Sequence, residues 1–213
     1  MIKAVIFDLD GTLLQSIPDI GGSMNRVLQR FGLNAHPIEA YYMMVGNGAR
    51  VLTERAVGEH QEMIDAVYNA YRQEYAAHTC DNSHPYDGIP ELLKSLRNNG
   101  ILTVVFSNKD HEDVVSVLEH YFPDHSFDAV RGRMEGVALN PAPDGALMIA
   151  QELDLTPQEF LYVGDTGTDM DCGKNAGMET VGVTWGFRTR AEVEMHQACH
   201  IIDKPEELLD LIH

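Results

Sequence analysis

The chain has 213 residues, 44% of them hydrophobic, enough for one full core domain plus a small insertion. Its 33 acids against 15 Lys and Arg give a net charge of −18, which argues against nucleic acid or an anionic membrane surface as partner. A small anionic substrate stays open, because one local cation reverses the field inside a pocket.

Three isolated cysteines without paired spacing, Cys80, Cys172 and Cys199, read as reduced thiols. No long apolar segment precedes the first acids, and no run approaches the roughly 18 apolar residues of a membrane span. A cytoplasmic protein is expected.

Ala4-Val5-Ile6-Phe7 is apolar and bounded by turn chemistry, which predicts a buried parallel strand. It runs directly into Asp8-Leu9-Asp10-Gly11-Thr12. Side chains at i and i+2 leave an extended strand on one face, so Asp8 and Asp10 address the same point. Two acids so close repel unless a cation or a substrate proton relieves them; a divalent ion is the simplest relief. Gly11 lets the chain turn.

Ile20, Met24, Val27, Leu28 and Phe31 then recur at helical spacing up to Gly32. A further helical stretch follows Pro37, Val51-Leu52 continue into Ala56-Val57, and Ile64, Val67, Tyr68, Tyr71 and Tyr75 mark a longer helix. The tyrosines suit packing between helices. No strand is expected between Gln15 and about Ser83.

Strand patterns resume at Leu102–Phe106, Phe127–Val130, Phe160–Val163, Thr180–Val183 and His200–Ile202, with helical segments at about 88–99, 111–121, 143–153, 168–176 and 204–212. Strands alternating with helices mean a parallel sheet with right-handed crossovers. The expected fold is α/β: a Rossmann-like parallel-sheet core, residues 1–14 and 84–213, with an inserted α-helical cap, residues 15–83.

Open α/β sheets carry their chemistry at the carboxyl ends of their strands. Ser107, Asn108 and Lys109 end one strand with a hydroxyl, an amide and an ammonium, a set suited to phosphate oxygens. Val163-Gly164-Asp165 ends another, and Asp169 follows four residues later near a helix start. Hard carboxylate oxygens in this arrangement suit Mg²⁺. Asp171 reads as ordinary charge at a helix N-terminus.

Asp8-x-Asp10-Gly11-Thr12 resembles the first signature of the haloacid dehalogenase-like phosphatases; Ser107 and Gly164-Asp165-x-x-x-Asp169 match the second and fourth. The resemblance implies that Asp8 attacks phosphorus to give an aspartyl-phosphate and that Asp10 is the acid/base. It also implies that Thr12, Ser107 and Asn108 hold the phosphoryl group. Mg²⁺ would be bound by Asp8, the Asp10 carbonyl, Asp165 and Asp169. The helical insertion corresponds to a C1-type cap.

The third signature is not matched. Relatives usually carry Lys-Pro-x-Pro where this chain reads Asn140-Pro141-Ala142-Pro143. Lys109, two residues past Ser107 on a long stem, is the natural replacement; Arg131, Arg133 and Lys174 are the others. Gln15 stands at the hinge where relatives usually have Asp.

Gly46-Asn47-Gly48-Ala49-Arg50 is an interhelical turn that could present N–H groups, with Arg50 adding charge, to an anion. It resembles the cap segment of phosphoglycolate phosphatases, and the resemblance covers nearly the whole chain. The implied activity is Mg²⁺-dependent hydrolysis of a small phosphorylated metabolite, with 2-phosphoglycolate the leading candidate, by a monomer or homodimer. A phosphomutase, a pyrophosphatase and a catalytically weak metabolite-binding member are the alternatives.

Overall fold

The computed structural model describes residues 1–134, 136 and 138–212. β1 (Ala4–Phe7) is buried along its whole length and lies inside a six-stranded parallel sheet. Its neighbours are β4 (Leu102–Asp110) and β6 (Phe160–Gly164), and β5 (Ala129–Arg133), β7 (Glu179–Val183) and β8 (His200–Ile202) complete the order β5-β4-β1-β6-β7-β8. Phe7 is in register with Val105 on one side and Val163 on the other. The residues following these three positions therefore emerge together at one edge of the sheet.

Alternate residues of the same strands feed two cores, as strand geometry requires. Val5, Phe7, Val105 and Val163 pack under α4 (Ile89–Asn98) and α5 (His111–Tyr121). Ala4, Ile6, Val104, Phe106 and Tyr162 pack under α6 (Asp144–Glu152) and α7 (Gly167–Asn175).

The helical block between the first strand and residue 84 comprises α1 (Ile17–Arg30), a 3₁₀ turn Ile38–Met43, α2 (Gly48–Val57) and α3 (Ile64–Ala76). It has its own apolar core, including Ile20, Met24, Leu28, Tyr41, Leu52, Val67 and Tyr71, which Phe187 enters from the sheet domain. β2 (Leu14–Gln15) and β3 (His84–Pro85) pair antiparallel where the chain leaves and re-enters the sheet domain.

Four local details depart from the sequence expectations. β4 runs on to Asp110 because β5 continues to pair with it past an irregularity, Asp110 opposite Arg133. β5 starts at Ala129 rather than Phe127, because Asp128 accepts from the Thr103 amide through its own side chain (2.7 Å) and Phe127 packs against the core. The segment at 204–212 is a 3₁₀ run, Pro205–Leu211, and a short helix, α8 (Arg190–Met195), follows β7. No helix among the described residues is long and apolar enough to cross a membrane.

Candidate active site

The loop after β1 is folded by its own backbone. The amides of Thr12, Leu13 and Leu14 all point to the Leu9 carbonyl, and the Gly11 amide donates to the Leu14 carbonyl at 2.8 Å. Gly11 has φ of +95°, and a Cβ there would meet Asp165 Oδ2 at 2.5 Å, so both backbone and space require glycine. The Asp8 amide donates to the Val163 carbonyl at 2.9 Å, which locks this loop to the end of β6.

At that end Asp165 is fully buried. Its Oδ2 accepts from the Phe187 amide at 2.6 Å and its Oδ1 from the Thr12 hydroxyl at 3.3 Å. Thr166 caps α7 reciprocally with Asp169: the Thr166 amide and hydroxyl donate to Asp169 Oδ2 at 3.1 and 2.7 Å. Asp8, Asp165 and Asp169 each offer a carboxylate oxygen, all within 4.8 Å of one another.

Burial, then the charges of Asp169, Asp165 and Asp10, push the Asp8 carboxyl well above its ordinary value. Burial and Asp169 push Asp165 up to about 7, and burial pushes Asp169 up to about 6 against its hydrogen bonds from Thr166. Burial raises all three carboxyls, and neighbouring acids add to it at Asp8 and Asp165, a penalty that a bound cation would relieve. Oxygen-only donors of this hardness fit Mg²⁺.

Opposite the trio stands Lys109. Its Nζ donates to both carboxylate oxygens of Asp10, at 2.9 and 2.8 Å, and lies 4.7 Å from the centre of the Tyr75 ring. Burial opposes the ammonium charge, but the Asp10 carboxylate more than offsets it and raises the Lys109 pKa. The Ser16 hydroxyl donates to Asp10 Oδ1 at 2.6 Å. Lys109 sits in the cavity; Asn140 at the third-signature position also lines it but donates its side-chain amide to the Tyr162 hydroxyl (2.9 Å). Arg131 pairs with Glu152, Arg133 with Asp110, and Lys174 with Asp171, and none of these three cations lines the cavity.

The cavity measures about 60 Å³. Asp8, Asp10, Asp169, Ser107, Asn108 and Lys109 stand in its polar half with Arg72, Asp110, Asp113, Asn140 and Thr166, and Ile20, Val45, Ala49, Leu52, Tyr71 and Tyr75 form its apolar half. Gly46 lines it too, its carbonyl accepting from Asn108 Nδ2 at 2.9 Å.

Three expected site residues lie elsewhere. Thr12 is fully buried and spends its hydroxyl on Asp165 rather than facing the cavity. Asn47 accepts from Arg55 through Oδ1 (2.9 Å) and does not line the cavity. Arg50 points outward, pairing with Asp65 (2.6 Å) and Glu54 (3.6 Å) across the Tyr68 ring. On α2, Ala49 and Leu52 face inward, and helical geometry sends position 50 to the outside.

Tyr71 and Tyr75 were assigned only to packing; they also line the cavity, stacked with ring centres 5.6 Å apart. Their i, i+4 spacing on α3 is the sequence signal for a shared face. The segment Trp185–Arg188, which touches both the acid trio and the cap, carried no such signal.

A family model described as haloacid dehalogenase-like hydrolase matches residues 5–183. The chain is 30% identical over 213 residues to a phosphoglycolate phosphatase from Pseudomonas putida, covering 97% of this chain and 78% of that one. It is 28% identical over 224 residues to an N-acetylmuramic acid 6-phosphate phosphatase from Pseudomonas aeruginosa, covering 99% and 95%. The crystal structure of a predicted phosphoglycolate phosphatase from Haemophilus somnus matches with a TM-score of 0.93 at 27% identity, covering 100% and 98%. With its six-stranded parallel sheet, its acid trio and this family match, the chain belongs to the haloacid dehalogenase-like hydrolases.

Proposed function

We propose that the chain is a phosphomonoesterase for a small phosphorylated metabolite, with 2-phosphoglycolate the leading candidate. The observation that carries this is the placement of Asp8, one of a buried acid trio, in the same capped cavity as the Lys109–Asp10 pair. Asp8, Asp165 and Asp169, with the Asp10 carbonyl, would hold Mg²⁺. Bound there, the ion supplies the positive charge that lets a carboxylate approach an anionic phosphoryl group.

Asp8 attacks phosphorus and the bond to the leaving oxygen breaks. Asp10 gives that oxygen a proton, then takes one from the water that hydrolyses the aspartyl-phosphate, returning Asp8 and releasing inorganic phosphate. Lys109 fills the role of the missing third-signature lysine. When the phosphoryl group arrives, the Lys109 ammonium shifts its charge toward it and frees Asp10 to carry a proton. Ser107 and Asn108 orient the phosphoryl oxygens, while Thr12 acts by holding Asp165. The cap, residues 15–83, excludes bulk water.

The apolar half with its stacked tyrosines supports a second reading, an uncharged sugar face as leaving group. The acidic surface suits a cytoplasmic enzyme, monomeric or dimeric.

Phosphate release with and without Mg²⁺ across 2-phosphoglycolate, pyrophosphate, sugar phosphates and nucleoside monophosphates tests the proposal. Mg²⁺-dependent release with preference for a small monoester is expected. Release from none of them, or isomerisation of a hexose phosphate without release, would overturn it.

A further inference from the structure

Between β7 and α8 the sequence Trp185-Gly186-Phe187-Arg188 reaches three separate parts of the site. The Trp185 indole N–H donates to the Thr12 carbonyl at 3.0 Å, on the loop that carries Asp8 and Asp10. Gly186 packs so closely that a Cβ would meet the Asp165 Cβ at 2.3 Å and the Gly11 carbonyl at 2.4 Å. The Phe187 amide holds Asp165 Oδ2 at 2.6 Å, while its ring enters the apolar core of the cap, edge-on to Tyr42 with ring centres 5.4 Å apart.

Arg188 extends the same contact. Its side chain is only 9% exposed; Nε faces Glu192 Oε2 at 3.4 Å and Nη2 donates to the Val45 carbonyl at 3.0 Å. The next carbonyl, Gly46, is held by Asn108 Nδ2 at 2.9 Å. The cap turn that lines the cavity is thus tied at adjacent residues, once to the acid side of the sheet and once to the phosphate side.

We propose that Trp185–Arg188 is a positioning element that makes closure of the Val45–Gly46 turn and seating of Asp165 a single event, with Arg188 as its latch. No residue of the segment need touch substrate; it acts through Asp165, Thr12 and Val45. Arg188 Nη1 is buried without a hydrogen-bond partner.

Coupling between two sites is reciprocal: a cation on the acid trio must slow opening of the cap turn if closure seats the trio. The inference rests on the proposed hydrolysis only for its kinetic arm, so the primary measurement is hydrogen exchange with Mg²⁺ alone. Amide exchange at residues 45–49 of the full chain would be followed with and without Mg²⁺. Fluorescence of Trp185, the single tryptophan, would record Mg²⁺ binding independently.

In the wild type, Mg²⁺ is expected to slow exchange at 45–49 by roughly five-fold or more, the lower end of ordinary coupling. Arg188→Met should still bind Mg²⁺ by Trp185 fluorescence yet lose most of that slowing, and Arg188→Lys should recover part of it. On the substrate that is turned over, R188M should raise KM more than it lowers kcat. If R188M folds poorly, Phe187→Leu keeps the Asp165 hydrogen bond while weakening the grip on the cap, and should reduce the slowing in the same way. Mg²⁺-dependent slowing unchanged in R188M and F187L, or absent from a wild type that binds Mg²⁺, would overturn the proposal. Loss of hydrolysis with the exchange coupling intact would count against the proposed reaction and leave the latch standing.

Discussion

Replacing Lys109 with methionine is the sharpest test of how the charge in this cavity is balanced. Met preserves most of the stem but removes the ammonium that spans both oxygens of Asp10 and lies over the Tyr75 ring. Breaking a buried ion pair from one side costs about 3–5 kcal/mol, because the remaining charge is left uncompensated. Asp10 retains the Ser16 hydroxyl at 2.6 Å and an 18% exposed side chain, which puts the cost at the lower end, about 3 kcal/mol. At roughly 2–4 °C per kcal/mol for a chain of this size, Tm should fall by about 6–12 °C.

Turnover should fall much further, by about 10²–10³, the usual loss when one group stabilising the transition-state charge is removed. Calorimetry and phosphate release measure the two effects separately. The double variant Lys109→Met/Asp10→Asn should recover most of the lost stability, since no orphaned charge remains, and none of the activity. A K109M protein with wild-type Tm and turnover would refute the reasoning. So would a double variant as unstable as the single one, because the cost would then lie in packing rather than charge.

The acid trio predicts a pH dependence. Asp165 at about 7 and Asp169 at about 6 keep protons that the unfolded chain loses near the ordinary value of 3.8. The contribution of these two acids to the stability of the metal-free protein is therefore fully present below about pH 4 and is lost as pH rises to about 7. Thermal melts in EDTA should show Tm falling from pH 5.5 to 7, and saturating Mg²⁺ should remove most of that fall and restore turnover. Gly11→Ala should lose at least ten-fold in turnover, since φ of +95° and a 2.5 Å approach to Asp165 force about 1–3 kcal/mol of strain into the loop; a steady-state assay checks it. Arg50→Ala should leave turnover within about two-fold and stability within about 0.5 kcal/mol, as for an ordinary surface position, because its guanidinium pairs outside the cavity.

What the sequence revealed, and what it hid, follows from the range of the interactions involved. The convergence of Asp8 and Asp165 was legible because each directly follows a short apolar strand, with Asp10 two residues beyond Asp8, and the parallel register of β1 with β4 and β6 brings those strand ends together. Asp169 was legible from its place in the first turn of α7. Thr12 and Arg50 lie outside the cavity because motif position does not fix side-chain direction: the first turns to Asp165 and the second is rotated outward on α2. The two-residue β2–β3 ladder is too short to leave a pattern. Arg188 meets Val45 across 143 residues and Phe187 enters a core otherwise built from residues 17–75; contacts so distant in sequence have no local periodicity to announce them.

The central claim is that Asp8 becomes covalently phosphorylated, and the direct measurement is mass spectrometry of enzyme acid-quenched during turnover of 2-phosphoglycolate with Mg²⁺. A phosphoryl group on the peptide carrying Asp8, present in the wild type and absent from a folded Asp8→Asn variant that releases no phosphate, is the predicted result. Wild-type phosphate release by Asp8→Asn, or a phosphoryl group found on another residue instead, would contradict it.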